Sequence, residues 1–390
     1  MRVNPLFSLY YIDKVPYILP HGQAIASHKR GIQINETGVF LWNLLQEGCT
    51  KEELVKQFTS YCDAGPMDLA QLTQDLDDFI KELFSYGILL KDNRAVCTQK
   101  HTDTYYAIGP VTFKITAPIH VLPKEFLPYK TEAVLHADLS IELRIADDGH
   151  SISQIPDIGS VLIQTQDLCV REVASHYLLL FPQMPKFRYA ILSKDGACAC
   201  LYHTAPDTGQ FVTDFFHIVR FLFLYTASSH GCYALHSASI LYKGKAWLFS
   251  GHSGMGKSTH VNLWKELYQV PILNGDLNLL LLSSGVPMIC GSPWCGTSGI
   301  ADPASYPLGG IILLNRGTKD FCTELSADKK ILLTTQRLIS PAWDHQMLHR
   351  NLQFMSALCP RIHICQLNCT KSPTAAQTAR QWITNQMRSS

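Results

Sequence analysis

The sequence predicts a mixed α/β (α+β) chain in two modules. A small module of short strands and three helices comes first, and a larger mixed-sheet module with C-terminal helices follows. Three observations predict this. Within residues 1–92, apolar residues recur three times at helical spacing between short apolar runs. Residues 93–210 break into apolar pieces of strand length. The string Gly251-His-Ser-Gly-Met-Gly256-Lys257-Ser258-Thr259 then joins an apolar strand to a helical pattern.

In the first module, residues 17–19, 24–26 and 32–34 are short strand candidates around His21-Gly22. Asn35 is placed to cap a helix carrying Val39, Leu41, Trp42 and Leu45. Thr50 and Glu53 form a capping box before Leu54, Val55 and Phe58. After the break at Gly65-Pro66, Leu69, Leu72, Leu76, Phe79 or Ile80, and Leu83 mark a third helix, which Gly87 ends. Residues 88–90 return as a strand, and the set is winged-helix-like. Nucleic-acid binding is opposed by charge: residues 1–92 hold 8 Lys+Arg and 12 Asp+Glu, a balance of −4. The third helix shows Asp75, Asp77 and Asp78 where a groove-reading helix carries cations.

Residues 111–115, 141–145, 161–164, 187–192 and 197–202 read as strands, the last two joined by a hairpin at Lys194-Asp195-Gly196. Residues 211–227 read as a long apolar helix. Its greasiest window contains His217 and Arg220, and no run approaches the ~20 apolar residues of a membrane span. Asp13 and Lys14 interrupt the apolar start, so no signal core forms, and a cytoplasmic protein without a membrane partner is expected. Thirteen cysteines, an odd number, oppose a disulfide framework. Charged residues are 17% of the 390 and hydrophobic ones 46%, which excludes a disordered chain. So low a charged fraction is compatible with surface buried between modules or in a homo-oligomer.

The glycine-rich string matches G-x-x-x-x-G-K-[ST]. Gly251, Ser253, Gly254, Met255 and Gly256 bring backbone N–H groups around phosphate oxygens. Lys257 supplies a positive charge, Ser258 and Thr259 supply hydroxyls, and the helix over 260–267 adds its N-terminal dipole. Ser258 is the Mg²⁺ ligand this motif provides. Residues 236–242 and 246–249 are strands separated by Lys243-Gly244, a spacing that permits only an antiparallel hairpin. The loop is therefore mounted on a sheet unlike the parallel sheets of common phosphate-loop proteins. Beyond a strand at 270–273, Asn274-Gly275-Asp276 places a carboxylate suited to be a base or a second Mg²⁺ ligand, before an apolar run at 277–282. The Gly/Ser-rich stretch 291–299, with Pro293, Trp294, Cys295 and Gly296, is suited to cover a bound substrate or nucleotide.

With these motifs placed, residues 105–345 resemble the HPr kinase/phosphorylase family, which shares a P-loop fold with phosphoenolpyruvate carboxykinase. The resemblance rests on Leu235-His236-Ser-Ala-Ser-Ile, Gly244-Lys-Ala-Trp-Leu-Phe-Ser-Gly251 with the phosphate loop, Leu273-Asn-Gly-Asp276 and Ser292-Pro-Trp-Cys-Gly296. It implies a kinase acting on a Ser or Thr hydroxyl of a protein or peptide. His236 would lie near the phosphates, Lys257 and Ser258 would hold ATP and Mg²⁺ with GTP left open, and Asp276 would be the base. Relatives commonly carry paired aspartates where this chain has Gly275-Asp276, and the acidic segment associated with phosphorolysis is not found.

The first module resembles the PqqD family, on residues 32–42, 50–54 and 75–87. That resemblance implies capture of a leader peptide as an added strand beside the third helix. An acidic helix there suits a leader carrying Lys or Arg. The chain then divides into a peptide-binding domain over 1–92 and a strand-rich part of the kinase module over 93–210. A catalytic core over 211–345 and a basic segment over 346–390 complete it. Together they predict a kinase for a ribosomally made precursor peptide. A small-molecule kinase acting on a free hydroxyl amino acid, or a nucleotide-gated peptide binder without catalysis, fits the same residues.

Other clusters read as packing. Cys359, His363, Cys365 and Cys369 lack the spacing of a zinc site. Cys198 and Cys200 are expected as buried strand cysteines, and Cys97 with His101 has no partner pair. Residues 329–390 hold eight basic residues against Asp344, a surplus free to engage the nucleotide or an acidic surface.

Overall fold

A computed structural model describes residues 2–4, 6–21, 29–46, 51–62, 69–90, 101–146, 159–204 and 209–388. They fall into two compact units, one within Met1–Gln99 and one within Lys100–Ala146 and Ile152–Ser390.

In the first unit, β1 (Arg2–Val3), β2 (Phe7–Ile12), β3 (Val15–Pro20) and β4 (Ile32–Gln33) precede α1 (Glu36–Gln46), α2 (Lys51–Tyr61) and α3 (Leu69–Ser85). A closing strand β5 (Leu89–Leu90) pairs antiparallel with β1, while β2, β3 and β4 form an antiparallel sheet. The Asn35 side chain accepts from the Gly38 N–H at 2.8 Å, the N-cap expected of it. At the far end of α3, the Ile88 N–H reaches the Leu83 carbonyl and the Gly87 N–H the Phe84 carbonyl, with Gly87 at φ 71°. This is a Schellman stop. Trp42, Leu45, Leu54, Phe58, Leu76 and Leu83 close the core. The acids of α3 are engaged locally: Asp77 pairs with Lys51 at 2.7 Å, Asp78 with Lys81 at 3.0 Å, and Asp75 accepts from Gln71. The expected strand at 24–26, Thr50 of the capping box, the Gly65-Pro66 break and Cys97 lie outside the described residues.

The second unit opens with β6 (His101–Ile108), β7 (Val111–Pro118), β8 (Lys130–Thr131), β9 (Leu139–Ile145), β10 (Ser160–Gln164), β11 (Cys169–Val173), β12 (His176–Leu180), β13 (Phe187–Ser193) and β14 (Cys198–His203). They make one nine-stranded sheet in the order β10-β11-β12-β13-β14-β9-β7-β6-β8. The expected strands of this region are present, and β6, β11, β12 and the two-residue β8 are additions. Cys198 is exposed and Cys200 half-buried on the outer face of β14, which corrects the expectation that both are buried.

Helix α4 (Gly209–Ser229) follows. By length and composition it could cross a membrane, yet 67% of its apolar window is buried within this unit. One side packs on the nine-stranded sheet through residues such as Phe211, Phe215 and Phe223. The same core takes in Ala234, Leu277 and Leu279 from the second sheet. A helix wedged between two sheets is apolar nearly all round for that reason.

The second sheet contains β15 (Tyr233–Tyr242), β16 (Lys245–Ser250), β17 (Ile272–Asn274), β18 (Leu277–Ser283), β19 (Val286–Cys290), β20 (Tyr306–Arg316), β21 (Phe321–Glu324) and β22 (His363–Cys369). The hairpin of β15 and β16 is antiparallel, and Lys243 and Gly244 both take positive φ, the mirror-image turn that suits strand twist. On its other side β16 pairs parallel with β20, and β20 parallel with β22, so the sheet is mixed. Because β15 also pairs with β18, β18 with β19 and β19 with β20, the strands β15, β16, β20, β19 and β18 close into a ring.

Helix α5 (Lys257–Tyr268) leaves the glycine-rich loop, three residues earlier than the apolar pattern indicated. Helices α6 (Ala327–Thr335), α7 (His345–Leu358) and α8 (Pro373–Arg388) complete the unit. The basic segment over 346–390 is integral to it, since it supplies β22, paired between β20 and β21, together with most of α7 and all of α8. Cys359 packs in one core while Cys365 and Cys369 pack in another, and no group of metal-ligating side chains occurs among the described residues.

Candidate active site

The parallel strand β16 ends at Ser250, and the chain turns through residues 251–256 into α5. Gly254 and Gly256 sit at φ 74° and 94°, conformations closed to side-chain-bearing residues at low cost. The Lys257 ammonium is buried and donates to the Gly251 carbonyl at 3.3 Å. Burial pushes its pKa down, Asp276 pulls it up and Arg337 opposes that pull. Its charge is therefore only partly compensated, as an anion-binding ammonium requires.

Across the loop, His236 on β15 and Asp276 on the turn before β18 face each other, Nδ1 to Oδ1 at 3.5 Å. Burial holds His236 below the usual histidine range, with Lys257 acting the same way and Asp276 against it. The balance favours the neutral imidazole. Together His236, Ser253, Gly254, Gly256, Lys257, Ser258, Thr259, Gly275, Asp276, Gly296, Thr297 and Ser298 line a cleft of about 360 Å³.

A seam of buried hydrogen bonds fixes Asp276. Asn274 accepts from the N–H groups of Asp276 and Leu277 at 2.9 and 3.0 Å and donates to the Ser292 carbonyl at 2.9 Å. Its own N–H reaches Ser239, whose hydroxyl donates to Asn278 at 2.7 Å. Asn278 in turn donates to Ser237. Asn-Gly-Asp reads in sequence as turn chemistry, and here the same turn delivers a carboxylate into the cleft.

The stretch 291–299 divides in two. Pro293 and Trp294 are buried and anchor it: the indole lies 5.1 Å from the Phe223 ring and donates to the Phe216 carbonyl at 3.2 Å. This corrects the expectation that both would face substrate; an apolar ring gains more by joining the α4 core. Cys295 is half-buried beside them, and Gly296, Thr297 and Ser298 line the cleft. A Cβ on Gly296 would stand 2.9 Å from the Asp276 Cβ, and one on Gly275 would stand 2.2 Å from the Ser298 hydroxyl. A side chain at Gly275 would therefore collide with the covering loop. Gly251 and Met255 are in the phosphate loop but outside the cleft lining.

Two arginines contact the loop. Arg316, at the end of β20, donates to the Gly254 carbonyl at 2.8 Å. Arg337, after α6, bonds His252 of the loop at 3.2 Å, and its backbone carbonyl accepts from His236. Of the basic surplus over 329–390, Arg337 meets the loop at His252, while Arg380 stacks on Tyr268 and meets Tyr242.

Behind the loop, His260 on α5 stacks on Phe249, and among the described residues neither buried ring nitrogen has a hydrogen-bond partner. Burial lowers its pKa to about 4, with Asp320 pulling weakly upward. The folded form therefore binds this proton less well than the unfolded chain does. Stability present above about pH 6.5 is lost as pH falls toward 4, by about 3 kcal/mol at most. His260→Phe is expected to melt at a higher temperature than wild type at pH 5, with the gap shrinking by pH 8. Parallel melting curves for the two proteins across that range would refute this origin.

The Ser258 hydroxyl and the Asp276 carboxylate, both oxygen donors, line the same cleft as the His236 ring. That set fits Mg²⁺, which takes few protein oxygens and keeps several waters. The fold and the cleft thus define a glycine-rich loop with a buried lysine on a mixed sheet, in a chain that also carries a small helical module. Residues 22–89 match the family described as coenzyme PQQ synthesis protein D (PqqD), and the small module carries a PqqD domain. Similar solved structures include TbiB1 in complex with the TbiA(beta) leader peptide, 23% identical, covering 23% of this chain and 96% of that one, with a TM-score of 0.19. The Hpr(Ser) kinase/phosphatase from Coxiella burnetii is 10% identical, covering 39% of this chain and 97% of that one, with a TM-score of 0.24. No curated protein matches the chain.

Proposed function

We propose that the chain is an ATP-dependent kinase that phosphorylates a Ser or Thr hydroxyl of a ribosomally made peptide held by its PqqD domain. The observation that carries this reading is the placement of Lys257 and the loop amides opposite Asp276 and His236 across one cleft. The loop amides and Lys257 hold the β and γ phosphates. Ser258 and Asp276 are the residues that would hold Mg²⁺, which when bound neutralises phosphate charge. Asp276, oriented by Asn274 and His236, accepts the proton of the acceptor hydroxyl. Thr297 and Ser298 shield the cleft from water. PqqD-type capture raises the local concentration of the acceptor, so a tethered Ser or Thr is phosphorylated in preference to a free one.

The test is transfer of label from γ-labelled ATP, with Mg²⁺, to short precursor peptides encoded beside the gene. Acid-stable label on Ser or Thr is expected, with kcat/KM lower by on the order of 100-fold for a peptide lacking its leader. Nucleotide binding without transfer to any hydroxyl would refute the kinase reading. Equal rates with and without leader would refute the role given to the PqqD domain.

A further inference from the structure

The cleft wall has two parts. One is the phosphate loop with the start of α5, and the other is His236, Gly275, Asp276 and the turn Gly296–Ser298. Within the second part the side-chain hydroxyls are those of Thr297 and Ser298. That of Ser298 is engaged: it donates to the Cys295 carbonyl at 2.7 Å and accepts from the Ile300 N–H at 3.2 Å. Thr297 is exposed, and among the described residues its hydroxyl has no hydrogen-bond partner. The residue before it packs on the carboxylate. A Cβ on Gly296 would stand 3.1 Å from the Asp276 carboxyl carbon and 3.4 Å from its Oδ2. Successive Cα atoms are about 3.8 Å apart, so Thr297 and that carboxylate are neighbours in the cleft wall. The turn also has freedom at its tip. Gly296 and Gly299 flank Thr297-Ser298 at φ 61° and 65°, and a Cβ on Gly299 would meet nothing within 4 Å. Trp294 pins the stem in the α4 core, which leaves motion to the tip between the two glycines.

We propose that Thr297 is an internal phosphoryl acceptor: the chain phosphorylates its own Thr297 hydroxyl when no peptide hydroxyl occupies the cleft. This rests on the kinase reading above. The bond between the γ-phosphorus and the oxygen it shares with the β-phosphate breaks, its electron pair staying on ADP. The bond from Thr297 Oγ1 to phosphorus forms, and the hydroxyl proton passes to Asp276. In such a displacement the acceptor oxygen approaches from the side away from the leaving ADP. The hydroxyls of Ser253, Ser258 and Thr259 belong to the loop that holds the phosphates, and that of Ser298 is already bonded, which leaves Thr297. Because acceptor and site share one chain, no encounter step is needed and the effective concentration of the hydroxyl is high. A captured peptide brings a second hydroxyl to the same base, so the two acceptors compete.

The full chain is incubated with γ-labelled ATP and Mg²⁺ as wild type, Thr297→Val and Thr297→Ser, with and without precursor peptide encoded beside the gene. Label is mapped by mass spectrometry. Wild type is expected to take label at Thr297, at a rate per chain that does not depend on protein concentration. Thr297→Val, nearly isosteric at an exposed position, is expected to lose labelling by about tenfold or more. Thr297→Ser is expected to keep it at position 297, because a hydroxyl remains there. Saturating peptide is expected to slow wild-type labelling on the order of tenfold. Label on Thr297→Val at the wild-type rate, or mapped to another residue of wild type, overturns the proposal. So does a rate per chain that rises with protein concentration, or one that peptide leaves unchanged. A chain that phosphorylates peptide yet takes no label itself also overturns it, and leaves the kinase reading standing. Label on neither chain nor peptide, with ATP bound, removes the kinase reading itself.

Discussion

Replacing Lys257 by Ala is expected to abolish phosphoryl transfer, with kcat falling by about 10³-fold or more, while capture of the leader peptide persists. The ammonium is buried and, among the described residues, its one hydrogen bond runs to the loop carbonyl of Gly251. Truncation therefore removes the cation facing the phosphates and leaves little else to repair. Peptide capture is assigned to a separate compact unit with its own core, so it has no reason to change. The measurement is a pair: label transfer to the peptide, and binding of the same peptide by fluorescence anisotropy. Joint loss of both in a chain that still melts cooperatively would sink the division of labour between the two units. Retained transfer would sink the phosphate loop as the site of chemistry.

Restoring the second carboxylate is expected to harm the protein. Gly275→Asp reproduces the paired aspartates of the family that the site resembles, and sequence reasoning alone would forecast better metal binding and faster turnover. The structure forecasts the opposite. A Cβ at Gly275 would meet the Ser298 hydroxyl at 2.2 Å, the Ser298 Cβ at 2.5 Å and the Cys295 carbonyl at 3.0 Å. Backbone at Cys295 cannot retreat freely, because the adjoining Trp294 is locked into the α4 core. Overpacking of this kind costs about 1–3 kcal/mol. The displaced segment also carries part of the cleft lining, so transfer is expected to drop on the order of 100-fold through misplacement of reacting groups. A double variant, Gly275→Asp with Ser298→Gly, is expected to recover much of the stability. If Gly275→Asp is as stable and as active as wild type, the covering loop is not fixed where the structure puts it.

Features encoded by a few adjacent residues were legible in the sequence. The Asn35 cap, the Gly87 stop, the Lys243-Gly244 hairpin and the phosphate loop are each local, and each stands where its residues put it. Strands β6, β11 and β12 were not legible. Arg171 and Glu172 interrupt β11, and Thr102, Asp103 and Thr104 make β6 polar, so no strong alternation marks them before neighbouring strands pair. The site divides the same way. Lys257, Ser258 and Asp276 follow from motif chemistry, whereas Arg337 and the Ser237–Asn278–Ser239–Asn274 seam depend on contacts between distant stretches. Trp294 misled because a Gly/Ser-rich setting reads as exposed, while its partners Phe216 and Phe223 lie more than 70 residues earlier.

The closed ring of strands has a mechanical consequence. Strand β16, which delivers the chain to the phosphate loop, is hydrogen-bonded along both edges, to β15 on one side and β20 on the other. It cannot tilt or slide without breaking a ladder, and β15 carries His236 in the same stiff frame. Admission and release of ligands therefore fall to the parts hung from that frame, the turn at 295–299 and the side chains of Arg316 and Arg337. The phosphate-holding half of the site behaves as an anvil, and whatever moves during a cycle must move against it.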